Sequence, residues 1–287
     1  MNTLTVKTSF LKMADNAEIA LYDWSHVSEP IRAMQEGMHT VLILHGLGEH
    51  ALRYAPLAGW LNAQGYNVLA YDQFGHGRSS GARGALTHNL QLIEHLQEII
   101  HATRAKSGAT NSKITVLGHS LGGLVAASAA ARGLLSAAQL VLSSPALAVD
   151  LKPWQRAAVK WLAHLAPKLT LANGLNPRYL SHDASIVAAY VADPFVHNRI
   201  CARLGAFVAE EGAFVIHRAS EWPLPTLLLY AGDDHLVSAC GSRAFSASSP
   251  RALVQAECFS ALYHEIFNEL NATPVFNALG AWLARAG

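Results

Sequence analysis

No stretch constrains this chain more than Ile114-Thr-Val-Leu-Gly-His-Ser-Leu-Gly-Gly-Leu-Val-Ala-Ala. Its apolar, β-branched start reads as a buried strand as far as Leu117, breaks at Gly118-His119-Ser120-Leu121-Gly122, and resumes as an Ala-rich helix to about Ala131. A serine at the centre of such a strand-turn-helix sits on a strained backbone, and glycines at both second neighbours leave the strand and helix room to close on each other. Ser120 would stand above a sheet edge, open to a substrate. Glycines so placed around some serine arise by accident in about one chain in ten. The weight therefore rests on the flanking strand and helix, and both are legible.

The surrounding sequence supplies more of the same alternation. Residues 3–10 and 18–24 read as amphipathic strands joined by the turn Met13-Ala-Asp-Asn16, a hairpin. Residues 28–38, with Pro30 and Gly37, read as a loop. A buried strand over 40–44 runs into His45-Gly46-Leu47-Gly48-Glu49-His50; a helix over 53–64, a strand over 67–71, a helix over 90–105 and a strand over 140–143 follow. Buried strands alternating with helices make βαβ units, hence a parallel sheet covered on both faces. Between residues 146 and 223 the alternation stops. One amphipathic helix carries Trp154, Ala158, Trp161, Leu162 and Leu165, and shorter helical pieces fall at 184–191 and 198–208, so this stretch reads as an inserted helical cap. Strands at 224–230 and 252–258 and a helix at 274–285 complete the core. The expected organisation is a core of residues 1–145 and 224–287 with a cap of 146–223.

Bulk properties exclude several classes. With 287 residues, 51% hydrophobic, the chain can bury one large core; 21 Lys and Arg against 20 Asp and Glu leave neither a basic stripe for nucleic acid nor an acidic tail. Cys201, Cys240 and Cys258 are widely spaced, which fits a reducing compartment rather than a disulfide or zinc framework. The first ten residues lack a signal-peptide core, and no apolar run reaches membrane-spanning length, so a soluble cytoplasmic protein is expected.

A serine hydroxyl attacks only when a base takes its proton and a third group orients that base. In a strand-turn-helix architecture the partners follow on turns after later strands, in the order serine, acid, histidine. Ala-Gly-Asp233-Asp234-His-Leu-Val follows one strand, and Phe-Ser-Ala-Leu-Tyr-His264-Glu follows the next. Asp234 is favoured because Leu236 and Val237 would anchor its turn, with Asp233 as the alternative; a turn-capping pair is their plainer use. His45 and His119 sit in glycine turns suited to bonding backbone groups. His88, His95 and His101 miss metal-pair spacing and read as a solvated helix face. The backbone N–H groups of Leu47 and Leu121 are the natural donors to a developing oxyanion, each worth roughly 100- to 1,000-fold in rate.

Taken together, His45-Gly-Leu-Gly-Glu-His50, Arg53-Tyr54, Asp72 with Gly75-His-Gly-Arg-Ser79, Gly118-His-Ser-Leu-Gly122, Asp193-Pro194 and Tyr263-His264-Glu265 resemble the monoacylglycerol lipase and lysophospholipase branch of the α/β-hydrolases. The resemblance spans nearly the whole chain. It implies an α/β-hydrolase fold, with a mostly parallel eight-stranded sheet covered by helices and an inserted helical cap over an acyl tunnel. It also implies a Ser120-Asp234-His264 triad, an oxyanion hole at Leu47 and Leu121, and substrate contacts at Glu49, Arg53 and His119 near the head-group end. A local salt bridge is the plainer role of Glu49 and Arg53. Where the mammalian lipase carries a second histidine three residues past its catalytic one, this chain has Phe267, which removes a polar contact.

The implied activity is hydrolysis of single-chain acyl esters such as monoacylglycerols, with no cofactor and no metal. The expected partner is a small acyl ester, not nucleic acid, and the apolar cap helix suits transient contact with membrane or lipid aggregates, although packing on the core is the commoner use of such a stripe. A broad-range short-chain carboxylesterase is the neighbouring alternative. A non-catalytic ligand-binding protein on the same fold is the alternative from another class.

Overall fold

The computed structural model describes residues 6–24, 39–107 and 113–286; the expected strand start at 3–5 and the loop at 28–38 lie outside them. The hairpin forms as expected, β1 (Lys7–Lys12) pairing antiparallel with β2 (Glu18–Asp23) from Lys7 opposite Asp23 to Lys12 opposite Glu18. Next come β3 (Thr40–Leu44), a 3-10 turn (Ala51–Tyr54), α1 (Ala55–Ala63), β4 (Asn67–Tyr71), α2 (Gln91–Ser107), β5 (Ile114–His119), α3 (Leu121–Ala131) and β6 (Gln139–Ser143). Five more helices and four more strands follow among the described residues: α4 (Pro153–Leu165), β7 (Thr170–Ala172), α5 (Ala184–Ala192), β8 (Arg199–Cys201), α6 (Ala202–His217), β9 (Thr226–Ala231), α7 (Ala239–Ser248), β10 (Val254–Phe259) and α8 (Thr273–Leu283).

Eight strands make one sheet in the order β1-β2-β4-β3-β5-β6-β9-β10, parallel from β4 onward. The reason is written in the strands. All of β3, β5 and β6 is buried, and successive residues feed opposite faces. Leu42, Leu44, Val116, Leu140, Leu142 and Leu228 join one apolar cluster, while Val41, Ile43, Leu117, Val141, Leu227 and Leu229 join the other. Each such side chain contributes about 1.5–3 kcal/mol on burial, so only a two-sided sheet satisfies the pattern. Register then sets the geometry of the rim. Leu44 lies opposite Gly118, His119 opposite Ser143, and Ala231 opposite Phe259, so the turns after β3, β5, β9 and β10 all emerge on one edge.

Helix α3 is buried at every residue. It lies against the sheet at very short range, because a Cβ on Gly122 would fall 2.4 Å from the Leu44 carbonyl oxygen.

Three features depart from the sequence reading. The helical piece expected over 198–208 begins instead as β8, which pairs antiparallel with β7, and its helix runs on to His217. The Cys201 sulfur caps that helix by accepting the Leu204 N–H at 3.3 Å. Helix α7 was not anticipated, since its Ala-Cys-Gly-Ser start offers no apolar period; Gly241, Ser242 and Phe245 face inward. Finally, the stripe of α4 does not pack on the core. α6 occupies that place, with Leu204, Phe207 and Val215 in the same cluster as Leu124 of α3, and α4 lies outside it with Trp154 67%, Trp161 65% and Leu165 72% exposed. Among the described residues no helix is long and apolar enough to cross a membrane.

The seating of α6 is tight at Gly212, where a Cβ would fall 2.0 Å from the Leu147 carbonyl oxygen. Gly212→Ala is therefore expected to destabilise by about 1–3 kcal/mol in urea unfolding, although helix propensity alone favours Ala by about 1 kcal/mol.

Candidate active site

The elbow is as strained as its sequence implies. Ser120 has φ 52° and ψ −115°, a left-handed conformation rare for a residue with a Cβ. It persists because strand and helix meet where neither has a side chain: a Cβ on Gly118 would fall 2.5 Å from the Gly122 carbonyl oxygen. The Ser120 N–H donates to the Ser143 carbonyl at 3.0 Å and its own carbonyl accepts from Ala146 and Leu124, so the turn is fixed from both sides. Ser120 Cβ lies 3.2 Å from where a Cβ on Gly46 would stand, which puts the turn after β3 directly beside it.

On the same rim, His264 Nδ1 lies 2.7 Å from Asp234 Oδ2, with both side chains buried. Asp234 Oδ1 accepts the Leu236 and Val237 N–H groups at 2.9 and 3.0 Å, so backbone amides, beyond the apolar anchoring foreseen for those residues, aim the carboxylate. Asp233, by contrast, points outward, 52% exposed and 3.1 Å from His235. Burial would raise the Asp234 pKa, but the charge and hydrogen bond of His264 and the two amides hold it below the ordinary carboxylate value. For His264, burial favours the neutral ring, yet the Asp234 charge and hydrogen bond prevail and raise its pKa. With Nδ1–H given to Asp234, Nε2 is the ring nitrogen left to accept a proton.

The His119 ring lies 4.7 Å from that of His264, and its Nδ1 is 3.1 Å from Ser143 Oγ, a side chain rather than the backbone group expected. Burial and then the His264 charge push its pKa down to about 3, so it is a neutral wall of the site. The Ser120 hydroxyl makes no hydrogen bond among the described residues. Such bonds commonly tighten only around bound substrate.

The N–H groups of Leu121, first in α3, and Leu47, in the turn after β3, have no acceptor among the described residues. The turn holding Leu47 is braced by its neighbours. The Gly46 N–H donates to Glu49 Oε1 at 2.6 Å, and Glu49 also accepts from Tyr54 OH at 2.7 Å and from Arg53. Gln73 donates its backbone N–H to His45 Nε2, which fixes His45 Nδ1 as donor to the Gly46 carbonyl, a backbone bond as its turn suggested. Burial raises the proton affinity of Glu49, but the Arg53 charge above all, with the Tyr54 hydrogen bond, carries its pKa down to about 2.

Other motif residues frame this turn. Asp72 is fully buried and accepts from Tyr22 OH, the Ala51 N–H and the Arg78 N–H, tying β2, the 3-10 turn and the loop after β4 together. Asp193 bonds His50 at 2.8 Å, and the His197 N–H donates to the Gly48 carbonyl at 2.8 Å, strapping residues 193–197 over the turn. Phe267 packs on Phe276 of α8, ring centroids 5.3 Å apart. His95 corrects the solvated-trio reading: only 2% exposed, it pairs with Asp15 at 3.1 Å beneath Phe74. Two buried carboxylates had no role in the sequence reading. Glu265 bonds Arg53, and Glu269 accepts the Tyr263 N–H at 2.7 Å and pairs with His182 at 2.8 Å. The signal for both was present, as acidic residues clustered just after His264.

Asp234→Asn is expected to lower kcat by about 10⁴-fold, because the wrong tautomer of the histidine is then held in place, while Asp233→Asn leaves it nearly unchanged; steady-state rates on one ester decide between them.

The family model for serine aminopeptidase, S33 (Hydrolase_4) matches residues 35–271. A monoacylglycerol lipase of Mycolicibacterium smegmatis is 33% identical over 246 residues, covering 85% of this chain and 87% of that protein. The crystal structure of the Paleococcus ferrophilus monoacylglycerol lipase, also 33% identical, superposes with a TM-score of 0.78 over 88% of this chain and 97% of its own. A soluble variant of monoglyceride lipase from Saccharomyces cerevisiae shares the fold at 21% identity, with a TM-score of 0.85 over 99% of this chain and 96% of its own. The chain thus belongs to the serine aminopeptidase S33 (Hydrolase_4) family, in the monoacylglycerol lipase branch of the α/β-hydrolases.

Proposed function

We propose that the protein is a serine carboxylic ester hydrolase of the monoacylglycerol lipase type, cleaving single-chain acyl esters through an acyl-enzyme on Ser120. The buried His264–Asp234 contact on the same rim as the strained Ser120 turn carries this reading. The Ser120 oxygen attacks the ester carbonyl while His264 Nε2 takes its proton. The carbonyl oxygen, now anionic, receives the Leu47 and Leu121 N–H groups, and the C–O bond to the alcohol breaks as His264 returns the proton to the leaving oxygen. Water then repeats the sequence on the acyl-enzyme, releasing the fatty acid and restoring Ser120. Glu49, Arg53 and His119 form the wall that the polar end of the substrate meets.

Residues 146–223 serve in this reading as the cap over the core of 1–145 and 224–287. The exposed Trp154, Trp161 and Leu165 of α4 form its lipid-facing side, since large apolar side chains with this exposure suit the bilayer interface. The three cysteines are free thiols, which suits a reducing, cytoplasmic setting.

A fluorophosphonate probe is expected to label the wild type and not Ser120→Ala, and a Ser120→Ala protein that still turns over p-nitrophenyl butyrate overturns the reading. Across esters from C2 to C16, rates that rise with chain length support the lipase, and a steep preference for the shortest chains indicates a short-chain carboxylesterase. Replacing Trp154 and Trp161 by Ser is expected to weaken sedimentation with phosphatidylcholine vesicles containing monoacylglycerol, with the rate on soluble p-nitrophenyl butyrate unchanged.

A further inference from the structure

We infer that Arg53 and Glu265 form a clamp that holds the oxyanion turn and the His264 turn in register, making both of them positioning residues for the ester hydrolysis proposed above, on which this inference rests. Arg53 NH1 bonds Glu49 and, at 2.6 Å, Glu265 Oε1; its NH2 bonds Glu265 Oε2 at 2.8 Å. One guanidinium thus joins two carboxylates that come from opposite sides of the site. Glu49 continues the link to the Gly46 N–H, one residue before the oxyanion donor Leu47. Glu265 is the residue immediately after His264, and lies 212 residues from Arg53 in the chain.

The clamp is built as a closed unit. The side chains of Arg53, Glu49 and Glu265 are 11%, 5% and 4% exposed. Glu265 Oε2 also accepts from Asn268 at 2.8 Å, the Glu265 N–H donates to the Leu180 carbonyl at 2.8 Å, and the Tyr190 ring covers the guanidinium at 4.7 Å. Leu180 and Tyr190 belong to the 146–223 stretch, so that stretch closes the clamp from above. A planar guanidinium can hold two carboxylates in a fixed fork, which an ammonium cannot. Buried ion pairs add little net stability against an apolar replacement of the same shape, so such a network is better explained by the geometry it fixes. Here that geometry is the separation between the group that takes the proton and the group that receives the oxyanion.

Electrostatics give the clamp a signature separate from its mechanics. The groups acting on the His264 ring are Asp234, then Glu265 and Glu49, all favouring its protonated form, with the neutral His119 ring alongside. Removing the Glu265 charge while keeping its shape must lower the pKa of His264. The acid limb of kcat/KM, which rises as that ring loses its proton, then moves to lower pH.

The test compares wild type, Glu265→Gln, Arg53→Lys and the double variant on p-nitrophenyl butyrate across the pH range, with thermal melting to verify the fold. A displacement of reacting groups by about 1 Å costs on the order of 10²-fold. Glu265→Gln is accordingly expected to lower kcat by about 10- to 100-fold with KM within about threefold, and to shift the acid limb to lower pH. Arg53→Lys, which keeps the charge without the fork, is expected to lower kcat by about tenfold, and the double variant to lose less than the product of the two single losses. An unchanged kcat or an unmoved acid limb in Glu265→Gln overturns the clamp, as do fully multiplicative losses. Should Glu265→Gln not fold, Arg53→Lys decides alone, and a kcat within about twofold of wild type overturns it. A wild type that neither reacts with the fluorophosphonate nor turns over ester fails earlier, taking the hydrolase reading and the clamp with it.

Discussion

Everything at the site depends on how closely helix α3 approaches strands β3 and β5. A helix and a sheet normally stand apart by the thickness of their side chains, yet here the backbone of Gly122 passes within Cβ distance of the Leu44 and His45 carbonyls, and Gly118 meets Gly122 itself. That contact forces the chain to reverse within one residue, and the reversal is what gives Ser120 its φ of 52°. A side chain at either glycine would push the helix away and relax the turn. The strain at Ser120 is therefore held by packing across the whole buried helix rather than by any bond the serine makes.

Around that turn the protein keeps charge in deliberately closed sets. Asp72 is satisfied by one hydroxyl and two backbone amides, Asp234 by His264 and two amides, and Glu49 and Glu265 by one shared arginine. A buried carboxylate without partners would raise its pKa and lose its charge. The opposite happens at Glu49 and Asp234, which are shifted downward despite burial because opposite charge and hydrogen bonds outweigh desolvation. The resulting field points the same way on His264 from three sides, favouring its protonated form, which is the species that forms when a serine proton is taken.

Residues 179–197 are joined to the rest of the chain through the very turns that carry Leu47, Asp234 and His264. Asp193 and His197 bond the turn after β3, Leu180 bonds Glu265, and His182 pairs with Glu269 while stacking on Tyr263 at 3.6 Å. Tyr179 stacks on His235, the neighbour of Asp234, at 4.4 Å. Any displacement of residues 179–197 therefore reaches the turns of Asp234, His264 and Leu47 together. Helix α4 stands outside these contacts, and its apolar residues are exposed because α6 lies between it and the sheet.

The strand-turn-helix at Ser120, the parallel sheet and the order of serine, acid and histidine were legible in the sequence, because each follows from local spacing: buried runs of five or six residues, glycines two positions from a serine, acidic and histidine residues on turns after strands. Leu236 and Val237 favoured Asp234 over Asp233 already in the sequence, but what aims that carboxylate, the backbone amides of the same two residues, appears only in the fold. Nor could the sequence place α4, whose stripe is the same whether it meets a core or water, or find α7 and β7–β8, which lack a strong period. The resemblance placed Glu49 and Arg53 against the substrate, with a local salt bridge as their plainer role; the third member of that set is 212 residues further on. Short-range pattern wrote the elements and the candidate chemistry into the chain, whereas the partners of each charge, and the face each helix turns outward, were decided only by which distant segments the tertiary fold brings into contact.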